Sequence, residues 1–202
     1  LYRQSKLAEA QAIFRNFPRG STFTPQARYF SAAIVVVEAL AAQKEGDDLA
    51  ATQRFQQAIS SFSEVLTLPI STKGHEQVMD LTHLAIGRLH YELGDIPAAI
   101  GEYTSVASDS KFYDDALYEM IWANIEAASQ EKVAFVRGRK LQEALRAAEI
   151  FNLAFPDDVR ESYLRILAAQ VQQKMEQWDS AIDEFDKASG HFEELSTSLS
   201  GI

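Results

Sequence analysis

A chain of 202 residues, 47% of them hydrophobic, has material for a packed core, yet no apolar run approaches the ~20 residues of a membrane-spanning helix. A formal net charge of −10 argues against nucleic acid, since holding a phosphate backbone needs a basic surface; it fits a solvated acidic exterior that suits basic partners. With no cysteine, disulfides, thiolate metal sites and cysteine nucleophiles are excluded.

Apolar and small residues recur at three- and four-residue steps almost throughout, so the chain reads as all-α. The periodicity and its breaks predict helices over roughly 3–17, 25–44, 48–67, 76–93, 96–108, 112–129, 138–154, 159–176 and 178–197. The five prolines punctuate this pattern: Pro18, Pro69 and Pro156 fall between helices, while Pro25 and Pro97 fall in first turns, where a missing N–H costs little. Thr24-Pro25 reads as an N-cap followed by a first helical residue, and Asp157 with Asp158 as the acidic entry to the next helix. Gln43–Asp48, Ile70–Gly74 and above all Ser129–Arg139 read as extensions between helices. The opening Leu1-Tyr2-Arg3 carries no initiator Met and no signal-like n- or h-region, and a piece of a longer protein is expected.

The helices repeat. From Leu84 to Tyr103 a first helix carries a small residue, Gly87; a turn follows at Gly94-Asp95; a second helix then places Ala99 one turn before Tyr103. The Ala-x-x-x-aromatic pair recurs as Ala10–Phe14, Ala58–Phe62 and Ala181–Phe185, while Ala144 is followed by Ala148, with Phe151 supplying bulk further on. The alanine anchors lie about 48, 41, 45 and 37 residues apart, against about 34 for an ideal repeat of this kind. In these residues the chain resembles the tetratricopeptide repeat family, over nearly its whole length. The resemblance implies a right-handed superhelical solenoid of antiparallel helical hairpins, in units of about 1–23 (a half repeat), 24–74, 75–110, 111–157 and 158–202. The stretched spacing is similar in style to bacterial envelope members of the family, which implies a periplasmic or outer-membrane-associated scaffold. A cytoplasmic protein that senses a peptide is the alternative.

Groups that carry chemistry are few. His83 and His90 lie seven apart on one helix side, where packing is favoured over metal ligation; zinc-binding helices space their ligands by three or four. His75 and His191 flank element ends without an evident partner. Asp114, Asp115 and Glu119 resemble half of a magnesium cluster, but carboxylates in a first turn are what the helix dipole favours in any case. Asp183, Glu184 and Asp186 read as a solvated helix face. No nucleophile elbow or phosphate loop is present, so no cofactor and no catalysis are expected. Lys132, Arg137, Arg139 and Lys140 form a small basic cluster, read as loop solubilisation ahead of an acidic contact.

A protein or peptide partner is therefore expected. In the resembled family such partners lie along the concave face lined by first helices, which here carries over to Leu84, Arg88, Tyr91 and Glu92, then Tyr118, Trp122, Ile125 and Glu126, then Tyr163, Ile166, Gln170 and Lys174. The set is aromatic and mixed in charge and lacks the family's basic carboxylate clamp. At the far end Phe192, Leu195, Leu199 and Ile202 form a stripe expected to stack on further repeats or on a second copy.

Overall fold

The computed structural model describes residues 6–18, 20–156 and 158–200, without side-chain placement at 194, 195 and 198–200. Among the described residues there are nine α-helices and no strand: α1 (Leu7–Arg15), α2 (Thr24–Lys44), α3 (Asp48–Leu66), α4 (Lys73–Glu92), α5 (Ile96–Thr104), α6 (Tyr113–Gln130), α7 (Ala134–Ala154), α8 (Glu161–Lys174) and α9 (Trp178–Ser200). The all-α class and the helix count are as expected. The chain divides into two compact units, Leu1–Tyr113 and Asp114–Ile202.

In the first unit α2 packs on α3 and α4 on α5, with α3 also against α4 and α1 against α2. Its core gathers Ala39, Phe55, Ala58, Phe62, Ile86 and Leu89, with Tyr29 tilted over Phe62 at 5.1 Å between ring centres. In the second unit α8 packs on α9 and on α7, and α6 joins them through Ala128, which shares an apolar cluster with Leu141 and Val171.

Three hairpins close with the same turn. Gly46, Gly94 and Glu176 occupy the left-handed region at φ 81°, 77° and 60°. The next residue's N–H then reaches back over the helix end: Asp47 to the Ala42 carbonyl at 3.0 Å, Asp95 to His90 at 2.9 Å, Gln177 to Gln172 at 2.9 Å. Asp47 and Asp95 go on to cap the second helix, accepting the N–H of Ala50 at 3.0 Å and of Ala98 at 3.3 Å. Gln43–Asp48 is thus a tight turn and not the extension expected.

Counting from this turn also corrects the repeat register. Seven residues before the left-handed position stand Ala39, Gly87 and Ala169; five after it stand Ala51, Ala99 and Ala181; nine after it stand Phe55, Tyr103 and Phe185. The small residues are all buried and the aromatics are buried or half-buried. Ala51–Phe55 is therefore the counterpart of Ala99–Tyr103, while Ala58–Phe62, buried as well, lies two turns further along α3. Ala10, Ala144, Ala148 and Phe151 are buried and Phe14 is half-buried, its ring stacked on Phe30 at 5.7 Å.

Glu176 is the exception among the three turns, because a Cβ in the left-handed region costs about 1–2 kcal/mol. Glu176→Gly is expected to stabilise the second unit by about 1 kcal/mol, and adding Gln177→Asp, which restores the cap of the other two turns, by about 1 kcal/mol more. Thermal unfolding of the single and double variants checks both steps.

Other boundaries differ locally. Thr24 lies inside α2, its hydroxyl donating to the carbonyls of Pro18 (3.0 Å) and Ser21 (2.7 Å), so Phe23 holds the cap position. α5 stops at Thr104, four residues early, where Ser105 and Val106 turn back onto Glu102 and Tyr103. Most of Ser129–Arg139 is helical: α6 runs to Gln130 and α7 starts at Ala134, because Glu131 takes the Val133 N–H at 2.8 Å and re-enters the helix at once. Asp157 lies outside the described residues, as do Ile202 and the side chains of Leu195 and Leu199; Phe192 is solvent-exposed.

Candidate functional site

In the first unit one expected surface residue is overturned. Leu84 is only 1% exposed, since α4 is wedged against α3 on one side and α5 on the other and so buries a wide arc of its circumference. Arg88 is exposed and Tyr91 half-buried, one helical turn apart. Glu92, next to them, accepts a hydrogen bond from the Gln43 side chain at 2.6 Å, which ties the ends of α4 and α2.

The histidines are all engaged. His75 is buried, its Nε2 2.6 Å from the Thr22 carbonyl oxygen and its Nδ1 3.0 Å from the Ser71 hydroxyl, so the absence of a partner expected for it is corrected. His191 likewise meets the Ser162 hydroxyl. His83 pairs with Glu102 at 2.7 Å, and His90 stands 3.7 Å from Asp95. The His83 contact joins α4 to α5 and the His191 contact joins α8 to α9, while His75 and His90 meet residues of connecting segments, so no histidine set converges on one point. Among the described residues no group of three His, Asp or Glu is arranged to hold a metal ion.

In the second unit the expected surface residues come together. Tyr118, Trp122 and Ile125 follow at four and three residues along one side of α6; Tyr163, Ile166 and Gln170 follow at three and four along one side of α8. The two rows are neighbours, because the Trp122 and Tyr163 rings lie 6.3 Å apart at 33°. Trp122, Ile125 and Ile166 are half-buried, and Tyr163 and Gln170 are open to solvent. Ile125 at the foot of the α6 row leans on the cluster of Ala128, Leu141 and Val171.

The head of that row is held by a residue the sequence reading passed over. Arg160, at the cap position of α8, binds Asp158 through Nε and Nη2, both at 2.8 Å, and Asp115 through Nη1 at 2.9 Å; its Nη2 also meets Asp114. Its guanidinium lies over Phe151 at 4.9 Å and over Tyr118 at 5.6 Å. Asp114 and Asp115, two of the three carboxylates that resembled half a magnesium site, are thus this arginine's counter-ions. Hydrogen bonding from Arg160 holds the Asp158 carboxyl below the usual range, and the same aspartates hold the guanidinium firmly protonated. One signal pointed to it: a cation at a helix N-terminus opposes the helix dipole and calls for nearby carboxylates.

A second arginine, Arg165, ties α8 to α9 by bonds to Glu161 at 2.8 Å and Glu184 at 3.1 Å, which places one of the three acids read as a solvated face inside an ion pair. Asp183 pairs with Lys187. No protein-family model matches this chain, and no curated protein matches it.

Proposed function

We propose that this chain is a non-catalytic, tetratricopeptide-like scaffold that holds a partner segment along the aromatic face of α6 and α8. The observation that carries the reading is the Trp122–Tyr163 contact, which joins two rows of partly exposed apolar and aromatic side chains into one surface. Large rigid aromatics dominate interface energetics, and a face already ordered in the free protein loses little entropy on binding. The repeated left-handed turn, with its small residue seven before and its alanine and aromatic five and nine after, supports the repeat-protein half of the proposal. The setting proposed is a bacterial envelope assembly, on the strength of the stretched repeats alone.

A photo-crosslinking residue at Gln170, in the source cell, tests this reading, with Asp186 on α9 as the control position. A discrete protein adduct is expected from position 170, absent from 186, and lost when Trp122→Ala and Tyr163→Ala are added to a chain that keeps its helical circular dichroism. Equal adducts from both positions, or none from 170, would sink the proposal.

A further inference from the structure

The α6–α7 connection breaks the rule that the other three hairpins follow. It has no residue in the left-handed region; Val133 is extended (φ −80°, ψ 113°), no side chain caps the first turn of α7, and no acidic residue stands in that turn. Where a tight turn would draw the two helices together, a cavity of about 290 Å³ remains, lined by Ile125, Ala128, Ser129, Arg137, Leu141 and Lys174. Its floor is apolar, since Ile125, Ala128 and Leu141 belong to one cluster with Val171, Leu145 and Met175. Val133, Arg137 and Leu141 follow at four-residue steps, so one side of α7 runs from an exposed valine past a cation into that floor.

The charge here is opposite to that of the molecule. Between 132 and 146 stand Lys132, Arg137, Arg139, Lys140 and Arg146 against the single Glu143, in a chain of net charge −10. Glu143 is taken up by Lys140 at 3.0 Å and, more loosely, Arg139 at 3.9 Å. Arg137 reaches only the Glu131 carbonyl, at 3.3 Å, and Lys132, Arg146 and Lys174 make no ion pair with any described residue. Two of these cations, Arg137 and Lys174, line the apolar hole without a carboxylate partner, and that pairing calls for an anionic occupant with an apolar anchor. At about 290 Å³ the hole is at the lower edge of ligand pockets, so it suits one side chain with the rest of the occupant lying outside.

We propose that this corner docks an acidic peptide segment of a partner protein, one apolar side chain entering the cavity and flanking carboxylates meeting Arg137 and Lys174. This rests on the scaffold reading and deepens it, because Ile125 belongs to both the cavity and the α6 face; the partner's chemistry is what it adds.

The test uses a fluorescein-labelled short peptide of Asp and Glu around a central Leu, with a Leu→Ser version, a version with Lys in place of every acid, and phosphatidylserine vesicles. Fluorescence anisotropy should show the acidic Leu peptide binding about tenfold tighter than the Ser or Lys versions, weakening with salt. Arg137→Glu with Lys174→Glu should lower that affinity by about tenfold or more, while an equal charge reversal in the first unit, Arg15→Glu with Lys44→Glu, leaves it within about twofold. Equal binding of the Leu and Ser peptides, indifference to the charge reversal, no peptide binding at all, or binding to vesicles alone would each overturn the proposal. Because the Gln170 crosslink is read separately, an adduct there without peptide binding here rejects this site and spares the scaffold.

Discussion

Gly87→Ala is expected to destabilise the first unit by about 2 kcal/mol, although alanine is the better helix former by about 1 kcal/mol in a helix interior. The reason is the Tyr103 ring. A Cβ on Gly87 would fall 2.4 Å from its Cε1 and 2.7 Å from its Cδ1, far inside contact distance, and the ring is itself only 1% exposed, with little room to retreat. Overpacking costs about 1–3 kcal/mol, and an approach this close belongs at the upper end, so about 2 kcal/mol remains after the propensity gain. The sign is tested by a cycle. In a Tyr103→Leu background, where the ring is gone, the same Gly87→Ala change should become neutral or stabilising. Chemical denaturation of the four proteins measures the coupling, and additivity of the two changes would show that Gly87 is not there to admit the ring.

Part of that contact was legible in the sequence. Gly87, Gly94, Ala99 and Tyr103 lie within 17 positions, so the repeat resemblance picks out the small residue, the turn and the ring, but not that Gly87 faces the Tyr103 ring. The equivalent turn at Gly46-Asp47 went unread because the Ala58–Phe62 pair, two helical turns further along, matched the same pattern and drew the register away from Ala51–Phe55. The start of α7 was missed because the polar run Ser129–Arg139 reads as an extension, whereas the chain re-enters a helix at Ala134 once Glu131 has taken the Val133 N–H. Leu84 was assigned to the surface from its repeat position, whereas its burial is decided by how many helices surround α4. Tyr118, Trp122, Tyr163 and Gln170 came from the family resemblance, and helical periodicity agrees with it to the extent that each row lies on one side of one helix. What no local pattern supplies is that Trp122 meets Tyr163, or that Arg160 finds Asp114 and Asp115 some 45 residues back along the chain.

Arg160 carries the other large expectation, because it joins α6, the end of α7 and the start of α8 in one place. Arg160→Met keeps a long apolar stem to cover Phe151 and Tyr118 but removes the cation that Asp114, Asp115 and Asp158 share. Breaking a fully buried pair costs about 3–5 kcal/mol and an exposed one under about 1 kcal/mol; with the arginine side chain 25% exposed, an intermediate loss of about 2 kcal/mol at neutral pH is expected. Arg160→Lys keeps the charge but not the fork that grips two aspartates at once, so it should recover less than half of that loss. The pH dependence gives a second reading of the same site. The Asp158 carboxyl is held below its ordinary range by the hydrogen bond from Arg160, so the folded state gains from its ionised form. That contribution is complete above the unfolded value of about 3.9 and is lost as pH falls through the lower folded value. The stability gap between the wild type and Arg160→Met should therefore be widest near neutrality and narrow below about pH 4, as protonation removes the repulsion that the variant exposes. Denaturant titrations at a series of pH values measure the gap, and a difference that stays constant down to pH 3 would mean that Arg160 acts through packing on Phe151 and Tyr118 rather than through the three aspartates.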